Sequence, residues 1–295
     1  MLNVLLPTIA QGLLWSLLAL GVYITFRVLD IADLSVEGTF PLGAAVAATC
    51  ITAGHPLWVA FALAIAAGCA AGAVTGLLTT KLRIPALLAG ILTMIGLYSV
   101  NLRVMGRANI SLLGYDTVYS WGTGAGLTEV QATLAVGLAA AAVVVGAVYW
   151  FFGTEIGLAL RATGFNPQMS RAQGVNTDTM VILGLLVSNG LVALSGALIA
   201  QSGGFADAGM GIGTIVIGLA SVIIGEVLFG TRSFKNCLVS VILGSIVYRL
   251  VIAIVLEMGM PPNDLKLFTA ILVALALSLP LIQKKYKELS HRRAA

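Results

Sequence analysis

TEIGLALRATGFNPQMSRAQGVNTD, residues 154–178, is the one long polar run that separates two strongly apolar segments of the chain. It reads as two short helices. Thr154 is placed to cap the first, with Glu155 in its first turn and Gly164 closing it. Asn166 caps the second, Pro167 suits its first position, and Gly174 ends it. Asn176 or Thr177 then caps the long apolar helix that follows. A mere linker has no need of so many helix-ending signals, whereas a docking surface does. Arg161 and Arg171 put this hairpin on the cytoplasmic side of a membrane.

Working outward, the composition requires that membrane. The 295 residues are 59% hydrophobic and 9% charged, with mean hydropathy +1.03; a soluble domain carries about 25% charge. The apolar runs match helical spans of about 20 residues, not the alternating strands of about 10 that build barrels. Nine segments are expected: 4–26, 33–53, 57–79, 84–105, 129–152, 179–201, 211–230, 234–256 and 264–283. The fold class is therefore an all-α polytopic membrane protein in a single domain. No cleavable signal is expected, because the N-terminus lacks a basic stretch and an A-x-A-like exit. Cys50, Cys69 and Cys237 show no metal-ligand spacing and read as packing residues.

With the hairpin inside, Arg27, Lys81, Arg83, Arg232, Lys235 and the tail cations Lys284, Lys285, Lys287, Arg292 and Arg293 also fall inside. Only Arg103, Arg107 and Lys266 fall outside, and Arg249 lies within a span. The N-terminus is thus expected outside and the C-terminus in the cytoplasm. The net charge of +4 reports this topology and not nucleic-acid binding.

The chain also reads as an inverted repeat. DLSVEGTFPLG follows one long span and QSGGFADAGMGIG follows another, each opening a Gly-interrupted segment with two more spans behind it. Residues 1–128 then form the first repeat with its outer loop, 129–178 the linking span and hairpin, and 179–295 the second repeat with a basic tail. Irregular backbone cannot face lipid, so the interrupted segments 33–53 and 211–230 are expected to line a substrate route as discontinuous helices. The candidate lining residues are Asp33, Glu37, Gly38, Asn189, Gln201 and Arg249. Asp33 and Glu37, four apart, are expected on one helix face, where they complement a helix N-terminus or steer an amine. Arg249 is expected to pair with Asp207 or Asp264, or to meet a passing carboxylate. For Asn189 and Gln201 the default is an interhelical hydrogen bond. Gly68, Gly72 and Gly76 form a close-packing stripe inside the molecule.

Catalytic and nucleotide-binding constellations do not occur. The two histidines, His55 and His291, stand apart, and no G-x-x-x-x-G-K-[ST] is present, so any ATP that drives the protein binds another chain. A stand-alone transporter driven by an ion gradient is the rival reading.

Gly157, Arg161-Ala162, Gly164, Asn166-Pro167, Ala172, Gly174, Asn176-Thr177-Asp178 and Ala193-Leu194-Ser195-Gly196 follow one another in an order that resembles the permease subunits of branched-chain amino acid and ribose ABC importers. DLSVEGTFPLGAA (33–45), IGLASVIIGEVLFG (217–230) and PPNDLKLFTA (261–270) are more similar to a subgroup described as tryptophan/tyrosine ABC importer permeases, and Asp33 and Glu37 in the second span favour that subgroup. The resemblance implies a fold related to the vitamin B12-importer type of permease and a bacterial inner-membrane location. It implies a dimer of permeases, a separate cytoplasmic ATPase that holds ATP and Mg, and an extracytoplasmic substrate-binding protein. No cofactor is then bound by this chain. The coupling region would be 155–174, with Glu155, Gly157, Arg161, Ala162, Gly164, Asn166, Pro167, Arg171 and Gly174 as its residues. Alternating access driven by the ATPase is the expected mechanism.

Overall fold

The computed structural model describes residues 2–278 apart from Ala125, Met260, Pro262, Asn263, Lys266, Leu272, Ala276, Leu277. The ninth expected span falls partly outside those residues and the basic tail wholly. Within them lie eleven α-helices and one short ribbon. Six helices are long and apolar enough to cross a membrane: α1 (Leu2–Tyr23, continued by a widened turn to Val28), α3 (Leu57–Thr80), α4 (Ala86–Met105), α6 (Glu129–Gly153), α9 (Thr177–Gly203) and α11 (Phe234–Glu257). Two apolar helices are shorter, α2 (Val36–Thr52) and α10 (Thr214–Phe229). Three lie elsewhere: α5 (Val118–Gly124), α7 (Glu155–Phe165) and α8 (Pro167–Ala172). The strands β1 (Asn109–Ser111) and β2 (Phe205–Asp207) pair antiparallel, Ile110 opposite Ala206, and tie the end of α4 to the end of α9. Neither the ribbon nor α5 is signalled by apolar periodicity; both sit in stretches expected to be loop.

α9 is the axis of the bundle. Of its most apolar window 61% is buried, against 22% for the peripheral α6. Small residues let its neighbours approach. On α3, a Cβ at Gly68, Gly72 or Gly76 would run into Ala193 and Asn189, the Leu185 carbonyl, or Ile182, all on α9. The expected stripe is thus an internal packing face. α1 runs antiparallel to α9, joined by Ser188 Oγ donating to the Gly21 carbonyl (2.7 Å) and Ser195 Oγ to that of Leu14 (2.9 Å). Such bonds satisfy hydroxyls that lipid cannot, for about 0.6 kcal/mol each.

The two short helices account for the irregular stretches. After α1 the backbone hydrogen bonds widen, Leu29 N bonding back to the Ile24 carbonyl (3.0 Å), and Asp30 turns the chain with φ 56°. α2 then starts beside Asn189, which stands 12 residues into α9, about 18 Å along a helix of about 40 Å. α2 runs parallel to α9: Ser35 meets Asn189, and Phe40 meets Gly196. α10 runs parallel to α1: Gly218 touches Val22, and Glu226 reaches Arg27. Since α1 and α9 are antiparallel, α2 and α10 point in opposite directions. Their N-termini meet, Gly211 seated against the Glu37 carbonyl and Pro41. Each is about 25 Å long and starts about half-way along the bundle, where the two half-helices meet head to head.

Candidate functional site

The polar hairpin forms a knuckle at one end of the bundle, and the residues expected to cap it do so. Thr154 Oγ1 accepts from Gly157 N (3.2 Å), Asn166 Oδ1 from Met169 N (3.0 Å) and Asn176 Oδ1 from Thr179 N (3.2 Å). Pro167 opens α8, and Gly174 takes φ +83° beyond its end. Gly164 departs from expectation. It does not close α7, which runs on to Phe165 with Asn166 at its C-cap. It lies inside the helix because a Cβ there would overlap the Val28 carbonyl. Gly157 is likewise pressed against the Phe151 carbonyl. Leu160 is wholly buried in the main core with Val28 and Leu29. The knuckle is therefore seated directly on the end of α1.

Its outer side is exposed and apolar. Phe165 is 94% and Met169 62% exposed, and Glu155, Ala162, Arg161 and Arg171 are open to solvent around them. Arg161 stacks over Phe234 at 4.6 Å. Arg171 Nε donates to Thr177 Oγ1 (2.7 Å), with Asp178 at 3.7 Å. Clefts of about 800 and 680 Å³ flank the knuckle; Arg83 and Arg171 line the first, Arg27 and Arg161 the second. Four of the cations read as cytoplasmic thus share one end. Arg27 also makes a two-pronged ion pair with Glu226, its Nε 2.9 Å from Oε1. That pair closes the end of α1 onto α10.

From Gly164 a contiguous chain of contacts leads inward. Val28 carries the knuckle, Leu29 packs on Gly184, and the strand of chain from Asp30 enters the half-helix crossing. There Asp33, 3% exposed, accepts Ser35 N on Oδ1 (2.9 Å) and Asn189 Nδ2 on Oδ2 (2.8 Å). Glu37 accepts Gly213 N (3.0 Å) at the N-terminus of α10. The two carboxylates do not share a helix face as their spacing suggests, because α2 begins only at Val36 and Asp33 precedes it. Each serves a different amide-rich end, Glu37 that of the other half-helix.

The remaining route candidates are dispersed. Gly38 packs on Met94 and Leu97, and its carbonyl accepts Asn101 Nδ2 (3.1 Å). Gln201 accepts Val118 N (3.1 Å) and lines a cavity of about 330 Å³ with Gln11, Tyr119 and Glu129. Arg249 pairs with neither Asp207 nor Asp264. Asp207 is held by Gly209 N (2.7 Å), while Arg249 lies over the ring of Trp15 at 4.2 Å. Sequence reasoning missed Trp15 and the serines of α9; their spacing to apolar neighbours is that of any buried helix.

A polytopic helical bundle with a capped, exposed knuckle at one end and opposed half-helices at its centre belongs to the class of membrane transport subunits. The family model described as the branched-chain amino acid transport system permease component matches residues 4–277, and the chain belongs to that family. It is 41% identical over 271 residues to the tyrosine transport system permease protein of Clostridioides difficile (strain R20291), covering 91% of this chain and 88% of that one. It is 37% identical over 286 residues to an uncharacterized protein of Rickettsia prowazekii (strain Madrid E), 94% and 98% covered. It is 28% identical over 198 residues to the ribose import permease protein of Escherichia coli (strain K12), 66% and 60% covered. No solved structure matches. The protein is thus the permease component of an ABC importer and is not itself a catalyst. Family membership decides against the stand-alone, gradient-driven reading.

Proposed function

We propose that this permease imports an aromatic amino acid into a bacterial cell, tyrosine being the first candidate because of the Clostridioides relative. It works as one of two copies in the inner membrane, with its N-terminus outside and the knuckle and C-terminus in the cytoplasm. A separate ATPase holds ATP and Mg and docks on the knuckle, through residues 155–174. An extracytoplasmic binding protein delivers the solute, so the permease path needs no strong site of its own. The repeats 1–128 and 179–295 rock against each other around the crossing of α2 and α10, and the knuckle transmits the push. The opposed directions of the half-helices support the inverted repeat. The gathering of Arg27, Arg83, Arg161 and Arg171 at the knuckle end supports the orientation.

The observation that carries the reading is the seat of Gly164 on the Val28 carbonyl. An exposed apolar tip is joined there, through two packed backbones, to the segment that enters the crossing. A force applied at Phe165 is therefore handed to Val28 and Leu29, from which the short segment 30–35 leads to Asp33 and Glu37. Arg161→Glu and Gly164→Pro each abolish uptake and uncouple ATP hydrolysis in reconstituted vesicles while membrane insertion persists. Normal uptake by both variants would remove the knuckle from the mechanism.

A further inference from the structure

Arg249 lies 15 residues into α11, about 22 Å along a helix of about 36 Å. That places a guanidinium a few ångströms past the middle of the bundle, where a charge is costly and marks a function by default. The Trp15 ring covers one side of it at 4.2 Å, and Trp15 is itself stacked on Phe40 at 5.3 Å. An aromatic face satisfies the flat side of a guanidinium but takes none of its in-plane N–H donors. Nε is shielded from solvent and has no hydrogen-bond partner among the described residues. No described carboxylate pairs with Arg249: Asp33 is held by Ser35 and Asn189, Glu37 by Gly213, Asp207 by Gly209 and Glu226 by Arg27, while Glu129, on the adjoining cavity with Gln11, and Asp264 make no ion pair with it.

Arg249 borders a cavity of about 200 Å³ that also meets Pro7, Thr8 and Gln11. The Thr8 hydroxyl hydrogen is given to the Val4 carbonyl at 2.6 Å, so Gln11 and Arg249 are the donors left at its wall. That space has room for a carboxylate. A lipid phosphate, at the edge of a hydrocarbon core about 30 Å thick, lies roughly 10 Å too far away.

We propose that Arg249 receives the carboxylate of the transported solute as it passes the middle of the membrane, with Trp15 holding the guanidinium plane from behind. The inference deepens the importer reading and rests on it. The terminal nitrogens, unlike Nε, are not closed off and make no hydrogen bond to a described residue; a planar guanidinium with such free donors matches a carboxylate, and an uncharged sugar gains little from it. With only Gln11 to assist, the contact is weak enough to be left again, as a path requires.

The test is uptake of labelled L-tyrosine into vesicles containing the full permease–ATPase complex, with the cognate binding protein outside. Arg249→Met keeps an unbranched chain to lie on Trp15 and removes the charge; Arg249→Lys keeps the charge. The expected result is at least a tenfold loss of uptake in Arg249→Met, with partial recovery in Arg249→Lys and assembly intact in both. Uptake in Arg249→Met equal to wild type overturns this inference alone. So does loss of assembly in both variants, or greater uptake in Met than in Lys, since either outcome assigns Arg249 to packing. Wild-type vesicles that refuse tyrosine and take up ribose overturn the amino-acid reading first, and this inference with it.

Discussion

At the knuckle every capping side chain reaches an amide three residues away; at the half-helix crossing Glu37 reaches one 176 residues away. Both regions solve one problem, the unpaired amides at a helix N-terminus. The knuckle solves it with Thr154, Asn166 and Asn176, each closing its own helix. The crossing solves it with Glu37 on α10 and with Asp33, whose second oxygen is held from α9 by Asn189, 156 residues on. Local caps keep the knuckle stiff whatever the bundle does. Long-range caps make the crossing a joint that exists only while its halves are assembled, and a relative movement of α2, α9 and α10 must remake those bonds. On the proposed function the knuckle would be the stiff element that receives the push and the crossing the joint that answers it.

The comparison breaks most visibly at Asn189. Asn189→Leu removes the donor to Asp33 Oδ2 and leaves a buried carboxylate held by Ser35 only. Losing a hydrogen bond to a buried carboxylate costs about 1.5–3 kcal/mol. The expected outcome is a large fall in the melting temperature of the purified complex, with low recovery from membranes. Asp33→Leu combined with Asn189→Leu regains part of the loss, because the pair is coupled. A single variant as stable as the parent would show that the crossing is not held by this contact.

A smaller effect separates the regions by location. Glu37→Ala removes the acceptor for Gly213 N and the charge at the α10 N-terminus, worth about 1 kcal/mol in total. Hydrogen exchange is expected to rise in two places at once, around 33–40 and around 211–218, with the knuckle unchanged. Exchange rising on α2 alone would mean that α10 is closed by something other than Glu37.

The same contrast explains how much was legible. Cap residues sit at fixed offsets from the amides they serve, so Thr154, Asn166, Pro167, Gly174 and Asn176 could be read from letters. Long apolar runs marked the six spans, and the small-residue period marked the packing face of α3 without naming α9 as its partner. What stayed hidden depends on which helices become neighbours. Gly164 carries the signature of a helix end, yet serves a contact with Val28 that no local pattern announces. Arg27 reads as an inner cation and Glu226 stands in an apolar run, but their pairing requires α10 beside α1. Asp33 and Glu37 look like one helical pair until the chain is seen to turn at Asp30. Arg249 invites an acidic partner by its charge alone, and the geometry gives it an indole. Three-residue strands and the short α5 fall below the length at which periodicity speaks.

The smallest expected effect tests whether the knuckle is as self-contained as its caps imply. Thr154→Ala deletes one acceptor, at a cost of about 1 kcal/mol. Because the amide it serves, Gly157 N, belongs to the helix it opens, the loss should stay within 155–174. Exchange there is expected to quicken several-fold, while 33–40 and 211–218 keep the parent's protection and the melting temperature moves by only a few degrees. Uptake should fall modestly, since a frayed first turn softens the pushing element without detaching Gly164 from Val28. If instead protection were lost at Asp33 or Gly213, the two regions would be one cooperative unit. The knuckle could then no longer be treated as a rigid body acting on a separate joint.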